Sequence, residues 1–192
     1  MRHLTLPILF LAVASLLGGC TAKRYRMAIM DFDVSAAGPQ YQKLRTAMPE
    51  MMTQNLDKYR SIYLLERQDV QSYLGDGDGS ETERQRFTRW QKVGRKIGAE
   101  YLVAGSVVRL GNNFLLNVRL FNVARGEIAP GSSFTQTCIQ EREIYERART
   151  LSIGIDQYLR RRTFPASLRK QPSPPSLPVA NGNGASIVQP AR

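Results

Sequence analysis

The sequence predicts an α+β (or α/β) domain, a five-stranded mixed sheet with helices packed on it in the order β-α-β-α-α-β-β-β-α. Three observations carry this expectation. Two short apolar runs, at 25–32 and 61–65, are each followed by helical periodicity, and three strand patterns then follow one another across turn signals from 100 to 138. A seam of apolar residues at helical spacing closes the pattern between 140 and 161. Strands that alternate with helices and then run on as a meander are what a mixed sheet with covered faces requires.

Tyr25–Phe32 is a compact apolar run between charged flanks and reads as the first strand, with Ser35, Gly38 and Pro39 marking 33–39 as a loop. From Gln40 to Asp57, Leu44, Met48, Met52 and Leu56 fall four apart with Met51 beside them, one apolar helix stripe. The methionines read as core packing rather than as a ligand face. Pro49 lies inside the stripe and lacks the N–H that would reach the Arg45 carbonyl, so a kink or a split is expected there. Ser61–Leu65 is the second strand, and Glu66-Arg67-Gln68 opens a helix carrying Val70 and Leu74.

Gly75–Glu83 is an acidic, glycine-rich loop, and a helix from about Glu81 to Ile97 follows it, with Phe87, Trp90, Val93 (or Gly94) and Ile97 on one face. Gly98 is placed to end that helix in the left-handed conformation. Glu100–Leu110 is continuous and β-branched, the pattern of a strand buried on both faces. Gly111-Asn112 supplies a tight hairpin turn. In the return strand Leu116, Val118 and Leu120 face the core, while Asn117, Arg119 and, less cleanly, Phe121 look outward. Ala124–Glu127 turns again into a strand from Ile128 to Cys138, which Pro130 and Gly131 should leave bulged or at an edge. The last helix, Gln140–Arg161, has Ile144, Ala148, Leu151, Ile155 and Leu159 as its seam.

The two ends differ in kind from this domain. Behind Arg2 and His3 an apolar run from Leu4 to Leu17 ends in Leu17-Gly18-Gly19-Cys20. It is too short to span a ~30 Å hydrocarbon core but fits a secretory signal. Its ending resembles a lipobox, in which Cys20 would bear thioether-linked diacylglycerol and become the new amino terminus; an ordinary cleaved signal, or an anchor with an accidental cysteine, is the alternative. Thr21, rather than Asp, after the cysteine would favour the outer membrane. From Thr163 to Arg192 the chain holds six prolines and no acidic residue, too little apolar material to offset the entropy of ordering it. The expected organisation is therefore a lipoprotein signal peptide at 1–19, one periplasmic domain at 20–162 and a disordered basic Pro-rich tail at 163–192.

The only histidine is His3, so the domain has no His-based acid–base catalyst, no Ser-His-Asp triad and no histidine ligand for zinc. With Cys20 lipidated, Cys138 is the one thiol, without a disulfide partner, and reads as a half-buried strand cysteine. Asp76 and Asp78 invite a calcium reading, but the sixth and twelfth loop positions from Asp76 hold Glu81 and Phe87 instead of Gly and Glu, so a solvated loop is preferred. Asp31, Asp33 and Glu66 are the only carboxylates near the motif strands, and nothing in their spacing makes an acid–base pair. No phosphate-cradling loop and no nucleophile elbow occurs. The expectation is no enzyme, no cofactor and no metal.

A formal charge of +11 suggests an anionic neighbour: lipid headgroups, peptidoglycan carboxylates or an acidic protein, with nucleic acid excluded by the compartment. A merely solvated basic surface is the alternative. Arg160-Arg161-Arg162 oppose the negative pole at the last helix's end, and a solvated face is preferred to a headgroup site there.

Ile62–Leu74 (IYLLERQDVQSYL) and Gly98–Val107 (GAEYLVAGSV), behind the opening Ala28–Phe32, resemble the curli secretion lipoprotein family CsgG, whose fold is shared with the TolB amino-terminal domain and with lipoprotein activators of penicillin-binding proteins. The resemblance covers about residues 25–138 and is expected to take in the last helix. The motif residues also have structural roles of their own. Glu66 can accept backbone donors or offset the positive pole of a helix start while Arg67 and Gln68 reach outward. Gly98 lets the chain reverse, and Gly105 permits a close approach on a central strand.

The resemblance implies a non-enzymatic lipoprotein, held to outer-membrane lipid through Cys20 and facing the periplasm. It would assist assembly or export of a surface structure by contacts with envelope proteins of the secretion or wall-synthesis machinery. A homo-oligomer stays open. The alternative is an activator of a peptidoglycan synthase, although in those relatives the Pro-rich segment precedes the domain and here it follows, at Pro172–Pro178. A CsgG-type channel subunit is less expected, because each membrane-spanning strand needs ~9–11 lipid-facing residues and the five strands are already needed for the sheet.

Overall fold

The computed structural model describes residues 23–74 and 81–163. The expected signal and Cys20, the glycines and aspartates at 75–80, and the tail from 164 lie outside these residues. The strands are β1 (Tyr25–Ile29), β2 (Ile62–Leu64), β3 (Tyr101–Leu110), β4 (Asn113–Asn122) and β5 (Glu127–Cys138). The helices are α1 (Leu44–Leu56), α2 (Arg67–Leu74), α3 (Glu83–Ile97) and α4 (Ile144–Thr163), with 3-10 turns at Pro39–Tyr41 and Glu141–Glu143. They form the expected α+β architecture around one mixed sheet of order β2-β1-β3-β4-β5. β1 is parallel to both β2 and β3, and β3–β4–β5 is antiparallel.

Two crossovers decide where the helices lie. β1–α1–β2 steps one way along the sheet and β2–α2–α3–β3 steps back over β1. Since both crossovers obey the same right-handed rule, their helices fall on opposite faces. α1 and the returning α4 cover one face, where Leu44, Met48, Met52 and Leu56 meet Ile144, Ala148, Leu151, Ile155 and Leu159 over Met27, Val103 and Leu116. α2 and α3 cover part of the other, around Ala28, Met30, Val70, Leu102 and Phe121.

Pro49 neither splits nor interrupts α1, which runs unbroken from Leu44 to Leu56. The Arg45 carbonyl that Pro49 leaves without its helical donor accepts the Phe32 N–H instead, at 3.1 Å. A loop outside the helix thus satisfies the gap that proline opens.

β1 is shorter than its apolar run, yet the chain beyond it keeps to β3. Met30 N–H donates to the Val103 carbonyl, Asp33 N–H to that of Gly105, and Val107 N–H to that of Asp33. Phe32 folds over Gly105, where an added Cβ would lie 2.2 Å from the ring, so the close approach expected there is real.

β3 is not buried on both faces throughout. Tyr101–Val103 are, but from Ala104 onward one face is only half-covered, because α2 and α3 do not extend over it. Phe121 corrects the alternation in β4: it is fully buried, with its ring 5.3 Å from that of Phe87 and 5.6 Å from that of Trp90.

The turns follow their chemistry. Gly111-Asn112 joins Leu110 to Asn113 with Gly111 at φ 61°, and Gly126 at φ 71° precedes Glu127. β5 is both an edge and bulged: register slips between Arg119 and Phe121, and the Ser132 hydroxyl accepts the Leu120 N–H. α3 begins two residues later than expected, at a capping box in which Thr82 and Gln85 satisfy each other's backbone N–H groups. It ends as expected at Gly98, φ 70°, with Gly98 N–H on Arg95 and Ala99 N–H on Gly94.

Candidate functional site

Because α2 and α3 leave the middle of β3 and β4 uncovered, an open cleft of about 1010 Å³ lies on that face. Ala104, Ser106, Asn117 and Arg119 form its floor, and Asp31 and Asp33 of the post-β1 loop form one wall. α3 supplies Arg86, Arg89 and Trp90 opposite, with Glu81 just ahead of it; Val70 comes from α2 and Arg45 from α1.

The carboxylates here are each held by a neighbour. Arg67 places Nη2 2.6 Å from Asp31 Oδ1, while its Nη1 donates to the Thr46 carbonyl at 3.0 Å. Arg45 Nε reaches the other Asp31 oxygen at 3.3 Å. Arg67 therefore does not reach outward: it fastens the start of α2 to the end of the first strand and to α1, as a planar guanidinium with several donors can. Glu66 beside it is exposed at the helix start.

Asp33 accepts the Ser35 hydroxyl at 2.7 Å and the Ser35 N–H at 3.0 Å. Those two bonds, with Arg86 and Arg45 adding weaker electrostatic pull against some desolvation, hold its carboxyl below the ordinary carboxylate value. Glu81 pairs with Arg89 at 2.8 Å. The Arg86 guanidinium lies 6.0 Å from the Trp90 ring centroid, and its Nε is buried without a hydrogen-bond partner.

Asp31 and Asp33 thus come together while Glu66 stays apart, and neither aspartate is left free as a base. Asn117 accepts the Thr135 hydroxyl at 2.9 Å. The chemistry available is recognition: arginine donors, an aspartate held ionised, and an indole face. Sequence reasoning missed the cleft because its residues come from six segments far apart in the chain. The one local signal was a run of arginines at 84, 86 and 89 around Trp90.

Cys138 is 2% exposed, more buried than the half-buried site expected. Burial pushes its thiol up, with Glu143 adding to the effect and Arg147 opposing it. Cys20 lies outside the described residues. No group of three or more metal-ligating side chains occurs among the described residues, and no described helix is long and apolar enough to cross a membrane.

The strand order and the helices on its two faces define an α+β domain with an open cleft on one face of the sheet. The chain belongs to the TolB amino-terminal domain family, whose model matches residues 17–129. The match therefore falls on a family that the sequence motifs named as sharing the CsgG fold. Among curated proteins none matches this sequence.

Solved structures similar to it include the LpoB C-terminal domain from Escherichia coli, at 19% identity and TM-score 0.48, covering 67% of this chain and 93% of that one. TolB from Acinetobacter baumannii follows at 13% and 0.46; the similarity covers 71% of this chain and 28% of TolB. The lipoprotein GNA1162 from Neisseria meningitidis stands at 11% and 0.47, covering 60% and 81%.

Proposed function

We propose that this chain is a non-enzymatic periplasmic docking module, held to the outer membrane through a lipidated Cys20, which binds another envelope protein at the cleft between α3 and the open sheet face. One observation carries the reading. The carboxylates of the cleft are each engaged: Asp31 is held by two arginines, Asp33 by Ser35 and Glu81 by Arg89. Membership of the TolB amino-terminal domain family supports an envelope setting.

Of the two finer roles, activation of a peptidoglycan synthase takes precedence over assembly or export of a surface structure. The export role drew on the CsgG resemblance, whereas the family match is to the TolB domain. In addition, every strand among the described residues is used in the single sheet.

A photoreactive residue at Asn117, in the cleft floor, is expected to crosslink a wall-synthesis protein in living cells, while the same residue at Lys43 does not. The purified chain is then expected to raise the glycan-polymerising rate of the crosslinked synthase. Crosslinks that form equally from Lys43 would overturn the cleft as the docking site, and an unchanged rate would overturn the activator role. Mass spectrometry finding an unmodified cysteine at position 20 would overturn the anchor.

A further inference from the structure

The strand register and helix directions bring the chain's positive charge to one end of the molecule. Tyr25 pairs with Ile62, Met27 with Tyr101, Tyr101 with Asn122 and Asn122 with Glu127, so the starts of β1, β2, β3 and β5 and the end of β4 share a level. α1 and α3 run down to that level because each feeds directly into a strand that starts there. α4 reaches it too: Asp156 accepts the Ser61 hydroxyl at 2.7 Å, and Tyr158 donates to the Pro130 carbonyl at 3.2 Å.

At this end stand Lys23, Arg24 and Arg26 of the entering chain, with Lys58 and Arg60 ahead of β2. Arg95 and Lys96 close α3, Arg125 lies in the β4–β5 turn, and Arg160, Arg161 and Arg162 close α4. Against these eleven cations there are four carboxylates, Asp57, Glu100, Glu127 and Asp156, and the last is buried against Arg160. The remaining described residues carry twelve cations and ten carboxylates. Helix C-termini account for some of the basic residues, since cations in a last turn offset the dipole. Arg24, Arg60 and Arg125 lie outside the helices, and the dipole gives no reason for them.

We infer that this end is a membrane-facing surface that rests on anionic phospholipid headgroups. Besides charge complementarity, the length of chain ahead of the domain argues for that occupant. Cys20 precedes Lys23 by three residues, a reach of about 11 Å at full extension. The inference takes its orientation from the reading of Cys20 as the lipidated residue. A domain so tethered cannot carry its basic end much beyond the ~8 Å Debye length at physiological ionic strength, so the charges act on the headgroups at all times. Anchor and patch then act as two signals, and they fix which way the domain faces: the cations of α3's last turn turn toward lipid, and the loop beyond β1 turns away from it.

The test uses the chain from residue 20 to 192 with Cys20→Ser, so that binding through the patch is read without the acyl chains. The expected result is co-sedimentation with vesicles containing phosphatidylglycerol but not with pure phosphatidylcholine, weakening as salt is raised. The variant R24Q/R60Q/R162Q should bind at least about tenfold more weakly. The variant K43Q/R109Q/R142Q, with the same loss of charge at the opposite end, should bind as the parent does.

Should the first variant fail to fold, R60Q/R162Q leaves the Arg24 bond to the Ile62 carbonyl in place and carries the same expectation at smaller scale. Equal losses from the two ends, binding to phosphatidylcholine as strong as to phosphatidylglycerol, or retention on peptidoglycan sacculi with none on vesicles would each overturn the inference. Palmitate labelling of the unmutated chain reads the anchor separately, so a failure of one is not mistaken for a failure of the other.

Discussion

Gly105 shows how one missing side chain can set a site. Phe32 is 1% exposed and occupies the space that any Cβ at 105 would need, and its N–H is spent on the Arg45 carbonyl. The neighbours Asp31 and Asp33 are thereby held in the cleft wall. Gly105→Ala should destabilise the domain by about 2–3 kcal/mol, since an enclosed ring has little room to move. Urea unfolding should show a lower midpoint at unchanged slope, and adding Phe32→Leu should restore part of the loss through the coupling of contacting residues.

Asp33 supplies a pH test. Its folded carboxyl is held below its ordinary value of 3.8, chiefly by the Ser35 hydroxyl. A lowered folded value means that the stabilisation is present above the unfolded value and is lost as pH falls through the folded one. Ser35→Ala should raise the Asp33 titration midpoint seen by carboxyl NMR. It should lower stability at pH 7, and the difference from the parent should shrink as pH falls through the folded carboxyl's titration, where the ionised form is lost.

At the scale of elements, legibility followed whether the determining partner was local. The seams of α1 and α4 were readable because spacing alone defines them, and every residue expected in them is buried except Met51, which is partly buried against the same core. The Gly111-Asn112 hairpin and the bulged edge of β5 were readable from turn chemistry and from Pro130. Phe121 was not: period two sends it outward, and only the passage of α3 across that end of the sheet covers it. Arg67 was not either, since a residue at a helix start looks outward until the end of β1 is placed beside it. The unbroken α1 needed knowledge of Phe32, seventeen positions from Pro49 in sequence.

The cleft itself left little local signature beyond the arginines around Trp90, being the part of the sheet that two helices fail to reach. Thr82-x-x-Gln85 is a different kind of miss, a readable capping signal hidden by the acidic, glycine-rich stretch before it. Thr82→Ala removes a reciprocal cap from α3 and should cost about 1 kcal/mol. Thermal unfolding should show it as a lowered midpoint, and Thr82→Ser should keep most of the stability.

The two faces of the whole molecule are held unequally. Among the described residues twenty-five buried side chains form the core under α1 and α4, and seven form the one under α2 and α3. The thinner layer is aromatic at its centre, with Phe87 and Trp90 only partly buried over Phe121, and it borders the cleft. Stability is not uniform where burial is so uneven, and the layer with less apolar surface should open without the rest. Amide hydrogen exchange is therefore expected to sort the chain by face. The amides of α2 and α3 should exchange through a partial opening of lower free energy, while those of α4 and the β3–β4 ladder wait for global unfolding. Mild denaturant should accelerate the second group much more steeply than the first, because global opening exposes more surface. A partner that seats in the cleft and bridges α3 to the sheet would tie the weaker layer down, slowing exchange in α3 while leaving α4 as it was. Equal exchange free energies for α3 and α4 in the isolated domain would show instead that the sheet couples its two faces into one cooperative unit.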